Sequence, residues 1–114
     1  MYQRIVVGTD GSESAAIAVG QAIELAKAGG ATLHVVHAYQ NVSVSMAAMS
    51  AGSGAAGLDL QGLSEGLEGH GKEVVAQVAT DAEAQGVTVE QHVVCGDPAD
   101  SLLAVATEVG ADLV

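Results

Sequence analysis

The segment Arg4-Ile5-Val6-Val7-Gly8-Thr9-Asp10-Gly11-Ser12-Glu13-Ser14 decides how the chain is read. Ile5, Val6 and Val7 form an unbroken apolar run, the pattern of a strand covered on both faces. Gly8 and Gly11 permit backbone paths and close approaches that a β-carbon would block. Asp10 and Ser12 are residue types that accept hydrogen bonds from the free N–H groups of a first helical turn. The segment therefore predicts a strand, a sharp turn and a helix start, with an acid at the junction. In parallel α/β proteins that junction is where ligands bind.

Outward from this segment, residues 13–28 continue as a helix, with Ala16, Val19, Ile23 and Ala26 spaced as one buried stripe. Gly29-Gly30 ends it. Thr32 to Tyr39 (TLHVVHAY) is a second strand, rich in β-branched residues and short for a helix. Residues 40–62 are largely small residues without clear period, and read as a long flexible loop. Helical pattern resumes by Leu67 and runs through Val74, Val75, Val78 and Ala82 to a stop at Gly86, with Gly66, Gly69 and Gly71 obscuring its start. Val87 to Cys95 is a third strand whose partial alternation predicts one less-buried face. In Gly96-Asp97-Pro98-Ala99-Asp100 a capping acid precedes a proline suited to the first helical position. Leu102, Leu103, Val105, Ala106 and Val109 supply that helix's apolar face, Gly110 closes it, and Ala111-Asp112-Leu113-Val114 begins a fourth strand. This alternation predicts one α/β domain over residues 1–114, a parallel sheet between two helical layers with right-handed crossovers.

Composition narrows the function classes. The chain is 49% apolar, with 15 glycines, no Phe or Trp, and only Tyr2 and Tyr39 as aromatics. A core of Val, Ala, Leu and Ile suits a compact parallel sheet with closely packed helices. The net charge of −11 is uneven: residues 1–57 balance to −1 and residues 58–114 to −10. Such a field repels nucleic-acid backbones and anionic membranes, and no basic stripe counters it. The expectation is a cytoplasmic protein without signal peptide or membrane span, binding neither nucleic acid nor membrane.

The candidate chemistry centres on Asp10. Its carboxylate can accept hydrogen bonds from a ligand's hydroxyls or hold a metal ion, or it can serve as a helix cap in a box with Glu13. Thr9, Gly11 and Ser12 share its turn, but neither a Gly-Lys-Ser/Thr phosphate loop nor the spacing G-x-G-x-x-G is present. The end of the second strand, with Ala38 and Tyr39, would lie beside that turn. Of the four histidines, His34 and His37 are three apart on a strand and so face opposite sides, while His70 and His92 lie elsewhere. No spacing demands a metal, so no metal site is expected. Cys95 is the lone cysteine, read as a buried, inert thiol. Ser12 and Ser14 lack the G-x-S-x-G elbow of a hydrolase nucleophile, so no catalytic residue is assigned.

Three segments together resemble the universal stress protein family: RIVVGTDGSES (4–14), LHVVHAY (33–39), and Cys95 to Asp100 followed by Gly110 to Val114. The resemblance implies a Rossmann-like, adenine nucleotide alpha hydrolase-like fold, a three-layer α/β/α open sheet of order 3-2-1-4(-5), with its switch point above Asp10. It implies an adenine nucleotide ligand, ATP or cyclic AMP, in the stress response. Thr9, Asp10, Gly11, Ser12, Ala38 and Tyr39 would bind it, with backbone groups at Ala38 meeting the adenine edge. The alternative is a member that binds no nucleotide and acts through dimerisation or partner binding. Family members continue into a loop G-x2-G-x9-G-(S/T), a last helix and a fifth strand that commonly forms a homodimer. That continuation is missing from this sequence, so the 114 residues read as a shortened form of the domain. With so few cations, the expectation is weak ATP binding by these residues alone, unless Mg2+ or the glycine loop offsets the surrounding acids.

Overall fold

The computed structural model describes residues 2–39 and 60–114. The first strand, β1 (Arg4–Gly8), leads into α1 (Glu13–Gly29), then β2 (Thr32–Tyr39). After the undescribed stretch come α2 (Leu60–Glu83), β3 (Thr88–Cys95) and α3 (Pro98–Val109). All three strands are parallel, with β2 between β1 and β3. Leu113 bridges Ile5 on the other side of β1, with Val6 N–H donating to the Leu113 carbonyl at 2.9 Å. The expected fourth strand thus starts beside β1, and the order runs 3-2-1-4 as far as the chain is described.

Register sorts the sheet into two faces. Arg4 pairs with Thr32, Val6 with His34 and Gly8 with Val36, while His34 and Val36 in turn oppose Glu90 and His92. Opposed residues in a pleated sheet share a face. On the first face Val6 and Val36 pack with Val105, and Leu102 and Val109 of α3 close around them. On the second face Ile5 and Leu33 pack with Val19, Ala22, Ile23 and Ala26 of α1, and with Ala82 of α2. Leu33 is fully shielded from solvent, so truncating it removes about 2–5 kcal/mol of stability.

The helix ends follow the local chemistry. Ser12 caps α1 by accepting from Ala15 N–H at 3.2 Å, and Gly30 closes it in the left-handed region. Asp97 caps α3 by accepting from Asp100 N–H at 3.1 Å, with Pro98 behind it and Gly110 closing.

Five expectations need correction. The α2 helix begins at Leu60, so residues 60–62 are helical rather than loop; residues 40–59 of that stretch lie outside the described residues. The glycines that obscured its start are spaced along one helix. A Cβ at Gly71 would stand 2.6 Å from the His37 ring, so glycine there admits the imidazole. In α1, Ala16 is exposed and Ala22 takes its place in the buried stripe. In α3, Leu103 is 61% exposed. Cys95 is exposed, because it ends β3, which has β2 as its only strand neighbour among the described residues. The single less-buried face expected of β3 is not seen: Glu90 is exposed and His92 half-buried on one side, and Gln91 is exposed and Val93 half-buried on the other, because the strand has β2 as its only strand neighbour among the described residues.

Candidate functional site

The turn after β1 is held from both sides. Thr9 N–H donates to the Val36 carbonyl at 2.9 Å, so the chain follows β2 for one residue beyond the strand. Thr9 Oγ1 then accepts from Gly11 N–H at 3.1 Å, and Asp10 Oδ1 accepts from Ser12 N–H at 2.9 Å. Gly11 sits at φ +82°, where a side chain is disfavoured. Hydrogen bonding by Ser12, from side chain and backbone alike, holds the Asp10 carboxyl below its ordinary range, and nearby His37 acts in the same direction. The result is an exposed, ionised carboxylate whose Oδ1 is anchored.

A cleft of about 740 Å³ opens beside this turn, between α1 and α3 at the carboxyl end of β1. Thr9, Asp10, Ser12 and Ala38 line it, with Pro98 and Leu102 opposite. Ala38 contributes main-chain groups. Val36 turns its carbonyl toward β1 to meet Thr9, and Ala38, two residues on, turns its N–H and C=O the same way. The β1–β2 register ends at Gly8 and Val36, so β1 offers Ala38 no partner.

The other two sequence candidates stand outside this cleft. Gly11 lines a second one, shared with Val74 and Gln77. Tyr39 alternates to the opposite sheet face from Ala38, toward α2. There burial, with the Glu68 carboxylate adding to it, pushes its phenol up. The structure thus gathers Thr9, Asp10, Ser12 and Ala38, and separates Tyr39 from them.

Sequence reasoning missed two features. His37 is buried, and its Nδ1 donates to the Thr9 carbonyl at 2.9 Å, tying the turn to β2. Among the described residues Gly71 is the hint, since it makes room for the ring. The second feature is a cluster across β2 and β3. His34 Nδ1 lies 3.0 Å from His92 Nε2 and 3.1 Å from Glu90 Oε2. His34 is buried, which pushes its imidazole below the usual histidine range, while Glu90 opposes that shift. Positions 58 residues apart in the chain meet here only through strand register.

Comparison with known proteins agrees with this architecture. The universal stress protein family model matches residues 1–114. Among curated proteins, none matches this chain. Among solved structures, a universal stress protein family member from Burkholderia pseudomallei superposes with TM-score 0.80 at 26% identity, covering 98% of this chain and 79% of that one. A universal stress protein in complex with cAMP gives TM-score 0.67 at 31% identity, over 98% of this chain and 70% of that one. The universal stress protein UspA of Lactobacillus plantarum, at 17% identity and TM-score 0.74, covers 96% of this chain and 71% of that one, and shares the fold.

Proposed function

The chain belongs to the universal stress protein family, and from that membership we propose that it binds an adenine nucleotide at the carboxyl end of β1 and β2. The observation that carries this reading is the convergence, in one cleft, of the Asp10 carboxylate and the main-chain edge of Ala38, to which β1 offers no partner. Ala38 N–H and C=O offer one donor and one acceptor, the pair an adenine edge requires. Asp10, ionised and anchored through Oδ1, accepts from a ribose hydroxyl. Ser12 and Thr9 complete the wall. A related protein at 31% identity holds cAMP, which supports the same ligand class here.

Charge decides which adenine nucleotide suits these residues. A triphosphate brings several negative charges to a protein of net charge −11, and Asp10 and Glu13 lie within a screening length of about 8 Å of the same turn. A singly charged cyclic nucleotide meets less repulsion. ATP binding should therefore strengthen when Mg2+ is added, and cyclic AMP binding should not. The role is binding rather than turnover, in a cytoplasmic stress response. Acid extraction of purified protein followed by nucleotide chromatography, with titration of cyclic AMP and ATP, tests the reading. An adenine nucleotide released, or saturable binding of either, is expected. Neither being seen would favour the alternative of a family member that acts through dimerisation or a protein partner.

A further inference from the structure

We infer that His34, Glu90 and His92 form a binding site for one divalent transition-metal cation of the zinc class, on the α3 side of the β2–β3 pair. The site is independent of the nucleotide cleft. His34 precedes Ala38 by four residues on the same strand, a separation of about 13 Å.

The sheet places these side chains. His34 opposes Glu90 directly and His92 follows two residues later on β3, so all three stand on one face. The α3 helix packs its apolar residues over Val6 and Val36 on this face, and Glu90 at the sheet's margin remains exposed. An ion therefore has a route in from solvent, while buried His34 gives it a rigid floor.

One proton on His34 Nδ1 cannot give both of its neighbours a full hydrogen bond. His34 Nδ1 lies 3.0 Å from His92 Nε2 and 3.1 Å from Glu90 Oε2. A neutral imidazole nitrogen either carries one proton or none. If His34 Nδ1 is protonated, Glu90 and His92 compete for a single hydrogen. If it accepts from His92 Nε2–H, the Glu90 carboxylate faces a bare lone pair. A cation among the three satisfies all of them at once.

The dimensions also fit. All three atoms lie within 4.8 Å of one another. Zinc bonds to histidine nitrogen and carboxylate oxygen of about 2.0–2.2 Å give a tetrahedral edge of about 3.3–3.6 Å. The observed 3.0 and 3.1 Å separations need a few tenths of an ångström of opening, and the His92–Glu90 separation, within 4.8 Å, must settle to the same edge. Two imidazoles and one carboxylate are a donor set for zinc, nickel or copper rather than magnesium, which prefers oxygen ligands in an octahedron. Arg4 lies on the same face and opposes a cation there, while the Glu90 carboxylate and the net charge of −11 favour one.

Titration of the tag-free full chain with Zn2+ by calorimetry, and with Co2+ by visible absorption, tests this. One equivalent of each is expected, with Mg2+ failing to compete and Co2+ giving the intense bands of a four-coordinate complex. His92→Ala and Glu90→Gln should each weaken binding about tenfold or more, and His70→Ala should leave it unchanged. Zn2+ should also raise the Tm of the wild-type chain and not that of His92→Ala. If His92→Ala fails to fold, the exposed Glu90→Gln variant carries the same comparison. Failure of the wild-type chain to take up Zn2+ saturably, or uptake that survives both His92→Ala and Glu90→Gln, overturns the proposal.

Discussion

Strand β2 serves two regions built on opposite principles. At its carboxyl end, the cleft beside Asp10 joins the turn after β1 to main-chain groups of Ala38 that β1 stops short of pairing. Four residues back, the His34 cluster is made wholly of side chains that register brings across from β3. The first region depends on where a neighbouring strand ends, and the second on where one aligns. One strand can thus hold two chemistries apart, provided that changes at one end leave the other intact.

The strongest way to break this comparison is Asp10→Ala. It should weaken cyclic AMP binding roughly ten- to a hundredfold, since it removes a charge-assisted acceptor, while leaving Zn2+ affinity unchanged. Parallel calorimetric titrations would show both, and a loss of Zn2+ binding would mean the two regions are coupled. Next comes His37→Phe, which leaves the Thr9 carbonyl without its buried donor. A cost of about 1–3 kcal/mol in urea unfolding is expected, with cyclic AMP affinity falling as the turn loosens.

Gly11→Ala probes the same turn more gently. At φ +82° a β-carbon costs about 1–2 kcal/mol, to be measured by chemical denaturation, and unchanged stability would mean the turn adopts another path.

The smallest effect at neutral pH concerns Asp112. Its carboxylate accepts from Gln3 N–H at 2.9 Å and from Arg4 N–H at 2.9 Å, and those bonds hold its carboxyl below the ordinary value of 3.8. A folded pKa lower than the unfolded one stabilises the protein above about pH 4, and that contribution is lost as pH falls through the lowered value. Asp112→Asn should therefore flatten the acid limb of a stability–pH profile. A profile identical to wild type would remove Asp112 from the account.

How much was legible in the sequence follows the same division. β2 was readable to the residue, and both ends of α3 were marked by Asp97, Pro98 and Gly110, because caps and strand composition are local properties. The Asp10 turn was readable for the same reason. The start of α2 was not, since glycines that look like breakers include one, Gly71, kept small for a tertiary contact. The exposure of Cys95 follows from β3 having no described strand beyond it, which composition does not encode. His37 on Thr9, and His34 with Glu90 and His92, required the register of strands far apart in the chain. The sequence did show that His34 and His37 face opposite sides; what each would meet there depended on the fold.

Two-dimensional amide NMR of the full chain during a cyclic AMP titration is the most direct test of where the nucleotide sits. The N–H signals of Ala38 and of Thr9 to Ser12 should move together and saturate, while those of Glu90 and His92 stay in place. Shifts that miss Ala38 and Asp10, or no saturable shift at any concentration that keeps the protein folded, would contradict it.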